Sequence, residues 1–448
     1  MKKNYLLGMA LIASLSFNSC TKEIVYVQDG TESIAEDVQQ ITLQVENGGD
    51  SQKSRAGRPM YGAEAKQTIE NVKLWICSSD KKVVYVKEIS NWNTEGSTAY
   101  TTSGHGRQTT IKLEGDDKLG PGTYTVYAVG YSTTSDYTLD AVTGVAKGNT
   151  FSENMVLPIT NTVGEEIFAG AVSLTISEKG AGSATTVLNR QVAGAFAYVK
   201  DIPYFEGAKY LKLVASAQNQ SLVLGNFNSF NLTGNGTGNE DNVKYVVNGT
   251  NGKSESETYV ISEIDLTKWF TTIKDSNGDG LIDLFTGDAS SAGSEYANWT
   301  NPYSSDGDGH PTFQKGSVFG GEFVIPFAHV DSKNTLTLQL TNDGGTALST
   351  WTVKLPTGDS QLSSQTITYW DGSTPWATFN DDSQTAYSLV RNHLYGIGTR
   401  MEDNPGGGTD PDPDTEDPDD KPESLLGSQE LVLQVNDNWE VIHGMELE

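Results

Sequence analysis

The chain has 448 residues, a formal net charge of −28 and 47 glycines, while histidine and methionine number only 5 and 6. So acidic a surface is repelled by phosphate backbones, which argues against a nucleic-acid partner. The length leaves room for about two to three domains with their own cores. Many short β-branched and aromatic runs between turn residues predict an all-β fold.

The N-terminus has the pattern of an export signal. A basic start is followed by an apolar stretch from Tyr5 to Phe17 that is too short to span a membrane. This stretch ends in a lipobox-like sequence, so we predict that residues 1–19 are a lipoprotein signal peptide and that Cys20 is lipidated. An ordinary secretory signal with an incidental cysteine is the alternative.

A first strand is predicted at 41–45, where Ile41, Leu43 and Val45 share one face. The segment that follows, 47–59, is polar and rich in glycine, and its second half is basic. Such a sequence is typical of an exposed loop that proteases cut.

Within this loop, the bond between Arg55 and Ala56 is the predicted site for an arginine-specific protease, because Pro59 protects the bond after Arg58. Apart from that proline, the loop has no apolar residue larger than alanine that could hold it against a core. A plain linker with incidental arginines is the alternative.

Two cysteines are too few for a disulfide framework. Cys77 stands alone once Cys20 is lipidated, and it lies in the apolar run 72–77. We therefore predict that Cys77 is a buried small hydrophobe and not a reactive thiol.

Further strands are predicted throughout the chain, separated by turn sequences. In the run 122–130 both faces carry packing groups, which predicts a central strand. Low helical content is expected because no apolar pattern of helical period stands out, although 267–274 and 361–366 are ambiguous. The Asn, Gly and Ser segment 226–257 predicts loops with little core. The other predicted strands are 72–77, 82–89, 186–199, 211–214, 319–326, 335–340, 351–355 and 387–397.

A stretch rich in Asp and Gly resembles the start of a calcium-binding loop. Asp275, Asn277, Asp279 and Asp283 occupy ligand positions of such loops, but the twelfth position is Thr286 instead of the bidentate acid. An ordinary Asp and Gly turn is the alternative. Calcium is the one candidate cofactor, and no other is expected.

No catalytic motif stands out. The five histidines, His393 among them, show no metal-ligand spacing, and nucleophile-elbow, zinc-protease and P-loop sequences are absent. With 58 acidic residues, pairs of carboxylates carry no signal for a glycosidase. We expect a protein that is not an enzyme.

The C-terminus joins a spacer that cannot pack to an alternating apolar segment. The acidic, proline-rich stretch 402–422 reaches ~60 Å when extended. Beyond it, apolar side chains share one face of a predicted strand and repeat the Leu-Gln-Val sequence of residues 43–45. These side chains are Leu431, Leu433, Val435, Trp439 and Val441. The shared pattern suggests that both segments compete for one groove; a tail folded back on its own chain is the alternative.

Several of these segments together resemble Bacteroidia-type fimbrillins, the type V pilins. Residues 389–397, Leu-Val-Arg-Asn-His-Leu-Tyr-Gly-Ile, resemble the closing strand of that family, and a spacer and a tail with a tryptophan follow in the same order. Residues 188–193 resemble the opening of the family's second domain, and residues 122–129 a core strand of the first. With the lipoprotein signal and Arg55, the likeness covers most of the chain, except for the long insertion and the loops rich in Asp and Gly.

The resemblance implies two tandem transthyretin-like β-sandwich domains followed by a tethered donor strand. It also implies that a protease removes the N-terminal segment with its first strand, and that the vacated groove accepts the tail of the next subunit. Such head-to-tail contacts do not close, so they produce a filament. The expected divisions are a signal peptide at 1–19, a propeptide at 20–55, sandwiches at 56–182 and 183–401, a linker at 402–426 and a donor strand at 427–448.

The implied partners are identical or related pilin subunits, an arginine-specific protease, and the outer membrane through the lipid anchor of the precursor. The expected location is the cell outer membrane and then a surface fimbrium that supports adhesion to a host ligand the sequence does not specify. Two alternatives stay open: a tip adhesin pilin with binding loops at 226–257, and a surface glycan-binding lipoprotein. In one full-length chain, we expect 41–45 to pair in the first sheet and 431–442 to be loose or poorly docked.

Overall fold

The structure is a computed structural model, and regular structure in its described residues is almost entirely β-strand. One short helix, α1, covers Asp140–Thr143, and 3-10 turns lie at Gly115–Asp117 and Leu266–Lys268. The all-β prediction is confirmed. The structure describes residues 37–45, 69–99, 107–133, 135–160, 165–216, 218–227, 245–250, 252, 259–287, 294–302, 313–327, 336–354, 365–381, 388–399, 421–426 and 430–436.

The strands of the described residues fall into two large sheets and two small ones. In chain order they are β1 (Gln39–Val45), β2 (Asn71–Cys77), β3 (Val83–Ile89), β4 (Thr98–Ala99), β5 (Arg107–Lys112), β6 (Gly122–Tyr131), β7 (Val156–Pro158), β8 (Phe168–Ile176), β9 (Gly182–Arg190), β10 (Ala193–Lys200), β11 (Ala208–Ala215), β12 (Ser221–Val223), β13 (Tyr245–Val247), β14 (Gly249–Thr250), β15 (Tyr259–Asp265), β16 (Val318–Val324), β17 (Leu336–Asn342), β18 (Ala347–Lys354), β19 (Gln365–Tyr369), β20 (Ala377–Asp381), β21 (Leu394–Ile397), β22 (Glu423–Ser424) and β23 (Glu430–Asn436).

The first large sheet has eight strands in the order β3-β2-β6-β8-β9-β1-β5-β4. β8 and β9 pair only where Phe168 meets Arg190 and Ala169 meets Asn189, so the sheet turns a corner there. One buried core lies between the two halves, with Leu74 from the first half and Ile41 from the second among its members. β6 lies between β2 and β8, which confirms the prediction of a central strand.

The second large sheet follows the order β15-β11-β17-β18-β23-β21-β10-β16, and β22 extends the pairing of β10. Its buried face carries Leu213, Leu338, Trp351 and Tyr198. These belong to a larger core that continues into the first half of the chain, where Trp75 packs on the other face of the first sheet. The two large sheets are therefore packed through shared hydrophobic contacts.

Two small sheets add pairings that the sequence patterns did not predict. β7 from the first half pairs with β12, which pairs with β14, and β13 joins β19 and β20. β13 and β14 lie within 226–257, so the prediction of loops alone for that segment is wrong. The ambiguous segment 267–274 contains only the end of a 3-10 turn.

The chain crosses from the first large sheet to the second at Gln191 and Val192, between β9 and β10. The predicted run 186–199 is therefore two strands in different sheets. β9 pairs with β1 from Gly182 to Leu188, so the first large sheet continues past Gly182 as far as this crossover. The domain boundary near Gly182 stays a prediction.

Candidate functional site

β1 fills a groove between β5 and β9, which we call the β1 groove. It runs antiparallel to β5 and parallel to β9, and its backbone is paired along both sides. The alternation predicted from the sequence is present, since Ile41, Leu43 and Val45 are all fully buried. The expectation that this segment pairs in the first sheet is confirmed.

The outer face of β1 is polar and contacts β5 through side chains. The hydroxyl oxygens of Thr42 and Thr110 are 3.0 Å apart, and Gln44 Nε2 donates to Gln108 Oε1 at 3.1 Å. These pairs follow the strand register, so the two faces of β1 have separate roles: apolar anchoring inside and polar alignment outside.

A buried glutamine precedes the apolar residues of β1. Gln39 is 2% exposed, and its Nε2 donates to the carbonyl oxygens of Leu119 at 2.8 Å and Gly180 at 2.9 Å. Its Oε1 accepts from the backbone N–H of Leu119 at 2.8 Å. Sequence reasoning missed Gln39, although its position on the apolar face of the strand is a usable signal.

The segment 46–68 links β1 to β2, and both of its anchors lie at the crossover end of the first sheet. Val45 pairs with Leu188, close to the end of β9. On the other side, Glu70 N–H donates to Tyr131 at the end of β6, and that end of β6 pairs with the start of β8 beside Arg190. The predicted cleavage residues Arg55 and Ala56 belong to this segment and lie outside the described residues, as does Cys20.

β23 occupies a second groove, between β18 and β21, which we call the β23 groove. Its first residues, Glu430–Val432, pair in parallel with β18, and Leu433–Asn436 pair antiparallel with β21. Leu431 is fully buried. Of the other predicted donor residues, Leu433 and Val435 lie on this paired backbone, while Trp439 and Val441 lie outside the described residues.

The sequence predicts a tail that is loose or poorly docked. β23 is not loose, because it completes the second sheet of its own chain, but each half of it pairs with only one neighbour. Although a long spacer precedes it, β23 lies on its own subunit. Thr399 and Lys421, which flank segment 400–420, exchange two backbone hydrogen bonds of 2.8 Å, so the chain on either side of this segment meets at one bridge. Leu425 then donates to the carbonyl of Lys200 beside β22.

The two Leu-Gln-Val segments therefore fill different grooves in one chain. β1 lies in the first sheet and β23 in the second. Within a single subunit they do not compete. Competition for the β1 groove would require β23 to leave its own sheet.

The two motifs of the fimbrillin resemblance meet at the crossover. The buried Arg391 guanidinium donates to the side-chain oxygen of Gln191 at 3.2 Å and to the carbonyls of Gly225 at 2.8 Å and Asn226 at 2.7 Å. Asn248 donates to the carbonyl of Gln191 at 3.0 Å. Burial lowers the pKa of Arg391 to about 9, so it remains charged at neutral pH. This network ties the closing strand to the crossover.

His393 is a buried side chain of the closing-strand motif. It is 7% exposed, and its Nδ1 is 2.8 Å from the carbonyl oxygen of Arg391, on the same motif. Burial lowers the pKa of His393 to about 4, which keeps the ring neutral.

Near this crossover, Arg190 and Glu166 form a buried ion pair, with Arg190 Nη2 2.6 Å from the glutamate Oε1.

The residues of the predicted calcium loop form one turn that is closed by its own hydrogen bonds. Asp275 accepts from the N–H groups of Gly278 and Gly280, at 2.7 and 3.0 Å. Asn277 donates to Asp279 at 2.8 Å, and Asp283 accepts from a backbone N–H at 2.9 Å. Nowhere in the part of the chain that the structure describes do three Asp, Glu, His or Cys side chains converge as metal ligands would. Calcium binding stays a prediction without structural support.

Cys77 is buried in β2, and burial raises the pKa of its thiol to about 12. A thiol with so high a pKa is protonated at neutral pH and unreactive. Among the described residues, no helix has the length and apolar character needed to cross a membrane.

No protein-family model and no curated protein match this chain. Solved structures that align with it include the fimbrial anchor protein Mfa2 from Porphyromonas gingivalis, at 10% identity and a TM-score of 0.31, over 78% of this chain and 100% of that one. The tip fimbrial protein Mfa3 from the same organism aligns at 8% identity and a TM-score of 0.34, over 80% and 94%. Both are Bacteroidia fimbrial proteins, the class that the sequence motifs resemble. Because identity and TM-score are this low, the alignments give no information on function.

Proposed function

We propose that this protein is the precursor of a pilus subunit that polymerises head to tail. Proteolysis at Arg55–Ala56 frees β1, and the C-terminal strand of another copy fills the β1 groove. The observation that carries the proposal is β1 itself: a strand whose inner face is fully buried and whose backbone is paired on both sides. It is joined to the fold that follows only through segment 46–68, which contains the predicted cleavage site.

Cleavage in this segment leaves β1 held without a covalent link. When β1 departs, β5 and β9 each lose a hydrogen-bonded neighbour, and the places of Ile41, Leu43 and Val45 in the core become empty. Each of these side chains contributes about 1.5–3 kcal/mol by burial. An empty groove of this kind is a strong acceptor for a strand with the same apolar alternation.

The strand pairings define where a donated strand enters one subunit and where the tail leaves another. A donated strand in the place of β1 runs parallel to β9, so its N-terminal end lies at the far end of the first sheet, beside Gly182. The tail leaves its own subunit at the Thr399–Lys421 bridge, beside the far end of β10. Because a tail donated to another copy leaves the β1 groove of its own subunit open to a third copy, the contact propagates.

The proposal includes export as a lipoprotein through Cys20, trimming by an arginine-specific protease at the cell surface, and a fimbrium that supports adhesion. The tail must also leave the β23 groove before it is donated. Its split pairing, with β18 for its first half and with β21 for its second, makes it easier to release than β1.

An arginine-specific protease applied to the purified full-length chain tests the proposal. We expect filaments by negative-stain microscopy and a ladder on SDS gels run without boiling. The Arg55→Ala variant should stay monomeric, and so should a cleaved chain that lacks residues 427–448. If wild-type protein cut after Arg55 and freed of β1 stays monomeric at high concentration, the proposal is wrong.

A further inference from the structure

The β1 groove has a feature that apolar pockets lack: a polar cage at its far end, which we call the amide cage. It consists of the backbone N–H and C=O of Leu119 and the C=O of Gly180, all three bound to the Gln39 side chain at 2.8–2.9 Å. These groups come from the turn before β6 and the turn before β9. Two acceptors and one donor at this spacing fit a primary amide.

Other side chains fit the cage poorly. A carboxylate has no N–H to give to the two carbonyl groups, and a hydrocarbon leaves all three half-buried backbone groups without the Gln39 partner. Leaving a buried polar group unsatisfied costs more than the net gain of the bond it replaces. The cage therefore selects glutamine at the position two residues before the first buried apolar side chain.

The tail of the same chain carries that glutamine. When Leu433-Gln434-Val435 is placed on Leu43-Gln44-Val45, Leu431 takes the place of Ile41 and Gln429 takes the place of Gln39. Gln434 then replaces Gln44 opposite Gln108. The correspondence thus extends beyond the apolar alternation to the polar end of the strand.

The apolar pattern by itself leaves the register open. A slip by one residue turns the apolar side chains outward and is strongly disfavoured. A slip by two residues keeps leucine and valine inside, so burial distinguishes the two registers weakly. The cage distinguishes them, because a two-residue slip brings Leu431 or Gly427 to it in place of Gln429.

We propose that the amide cage formed by Leu119 and Gly180 is the register-determining site of the β1 groove, and that its occupant in the polymer is the Gln429 amide of a second copy of this chain. The inference rests on the proposed function, since it assumes that the tail replaces β1. It adds a specificity device that acts on the donated strand.

Engineered disulfides measure the register directly. Thr42 and Thr110 face each other with hydroxyl oxygens 3.0 Å apart, and Val432 takes the place of Thr42 in the proposed register. The variant Thr110→Cys with Val432→Cys should therefore form disulfides between subunits after cleavage. The variant Gln108→Cys with Val432→Cys reports the two-residue slip that brings Gly427 to the cage, because Gln108 lies opposite Gln44. Lys112→Cys with Val432→Cys reports the opposite slip, because Lys112 lies opposite Gln40. The two native cysteines should not form competing disulfides, because cleavage removes Cys20 and because Cys77 is buried with a thiol pKa of about 12.

We expect a boiled, non-reducing ladder from the first pair and almost none from the other two. Adding Gln429→Leu should lower the first ladder at least about tenfold and raise at least one of the others, because half-buried backbone groups would lose their partners. The control Glu430→Gln, whose side chain takes the place of half-exposed Gln40, should leave all three ladders unchanged.

Filaments with an unchanged first ladder in the Gln429→Leu variant would overturn the register site and leave strand exchange intact. A wild-type chain that loses β1 and forms no filament would overturn the proposed function, and Gln429 as occupant with it. The cage has a separate test in the unprocessed chain: Gln39→Leu should lower the melting temperature clearly more than Gln40→Leu, and equal effects would contradict the selection of an amide.

Discussion

The β1 groove and the β23 groove hold strands with the same Leu-Gln-Val sequence in different ways. Each strand lies between one parallel and one antiparallel neighbour. β1 is paired along both sides over nearly its whole length and is locked by Gln39. β23 is paired on one side by its first half and on the other by its second half. The apolar alternation predicts that a segment forms a strand, while the pairing available in its groove determines how firmly that strand is held.

The difference suits the two proposed roles. A strand that keeps the precursor inactive has to stay in place until its connection is cut. A strand that will be donated has to be protected against aggregation and yet leave its groove without proteolysis. Among the described strands, β23 alone joins β18 to β21, so its release would leave two edges in the second sheet.

Among the substitutions considered, one beside the crossover between the two sheets should lower the free energy of unfolding most. Glu166→Gln removes the charge that compensates Arg190, and both side chains are almost fully buried. We expect a loss of about 3–5 kcal/mol in the free energy of unfolding, measured by urea denaturation. Asp343→Asn makes the same chemical change in the exposed pair with Lys209 and should lower the stability far less, because solvent screens that pair.

Leu43→Ala tests how firmly the β1 groove holds its strand. It removes a fully buried side chain from the first core, so we expect a loss of about 2–5 kcal/mol in a global unfolding transition. The matched change Thr42→Ala, on the outer face of the same strand, should cost about 1 kcal/mol or less. Equal effects would mean that β1 is not held by its apolar face.

Leu431→Ala tests how firmly the β23 groove holds its strand. Although Leu431 is fully buried, detachment of β23 limits the loss, and we expect about 1–2 kcal/mol. Hydrogen exchange should become faster in β18 and β21 while the first sheet stays protected. Leu426→Ala, at a position that is 60% exposed, is the control. Global unfolding in place of local opening would show that β23 is as firmly held as β1.

Raising the pH through neutrality should destabilise the second sheet through one buried carboxyl group. Burial raises the pKa of Glu322, on β16, to about 7 from its ordinary 4.5. The stability that the protonated group contributes is full below pH 4.5 and is lost as the pH rises through 7. Glu322→Gln should therefore gain on the order of 1 kcal/mol at pH 8 and nothing at pH 4, by thermal melts at both values. A gain of equal size at both pH values would rule out ionisation as the cause.

Much of the local structure could be predicted because it depends on alternation. The parity of Ile41, Leu43 and Val45 predicted their burial, and two packed faces predicted the central place of β6. The short strands β13 and β14 were missed, since a segment rich in Asn and Gly pairs only when its neighbours are already in place. Arg391 and Gln191 belonged to motifs far apart in sequence, and nothing in either motif indicated their contact.

By itself, the sequence determined that this protein is all-β, which faces of β1 and of the tail are apolar, and that one pattern occurs near both ends. Tertiary structure decided which sheet each segment completes, because a strand's neighbours come from distant parts of the chain. It placed β23 in the second sheet of its own subunit, beyond the bridge between Thr399 and Lys421. It also built the amide cage around Gln39 from backbone groups, which carry no side-chain signature that a sequence pattern could show.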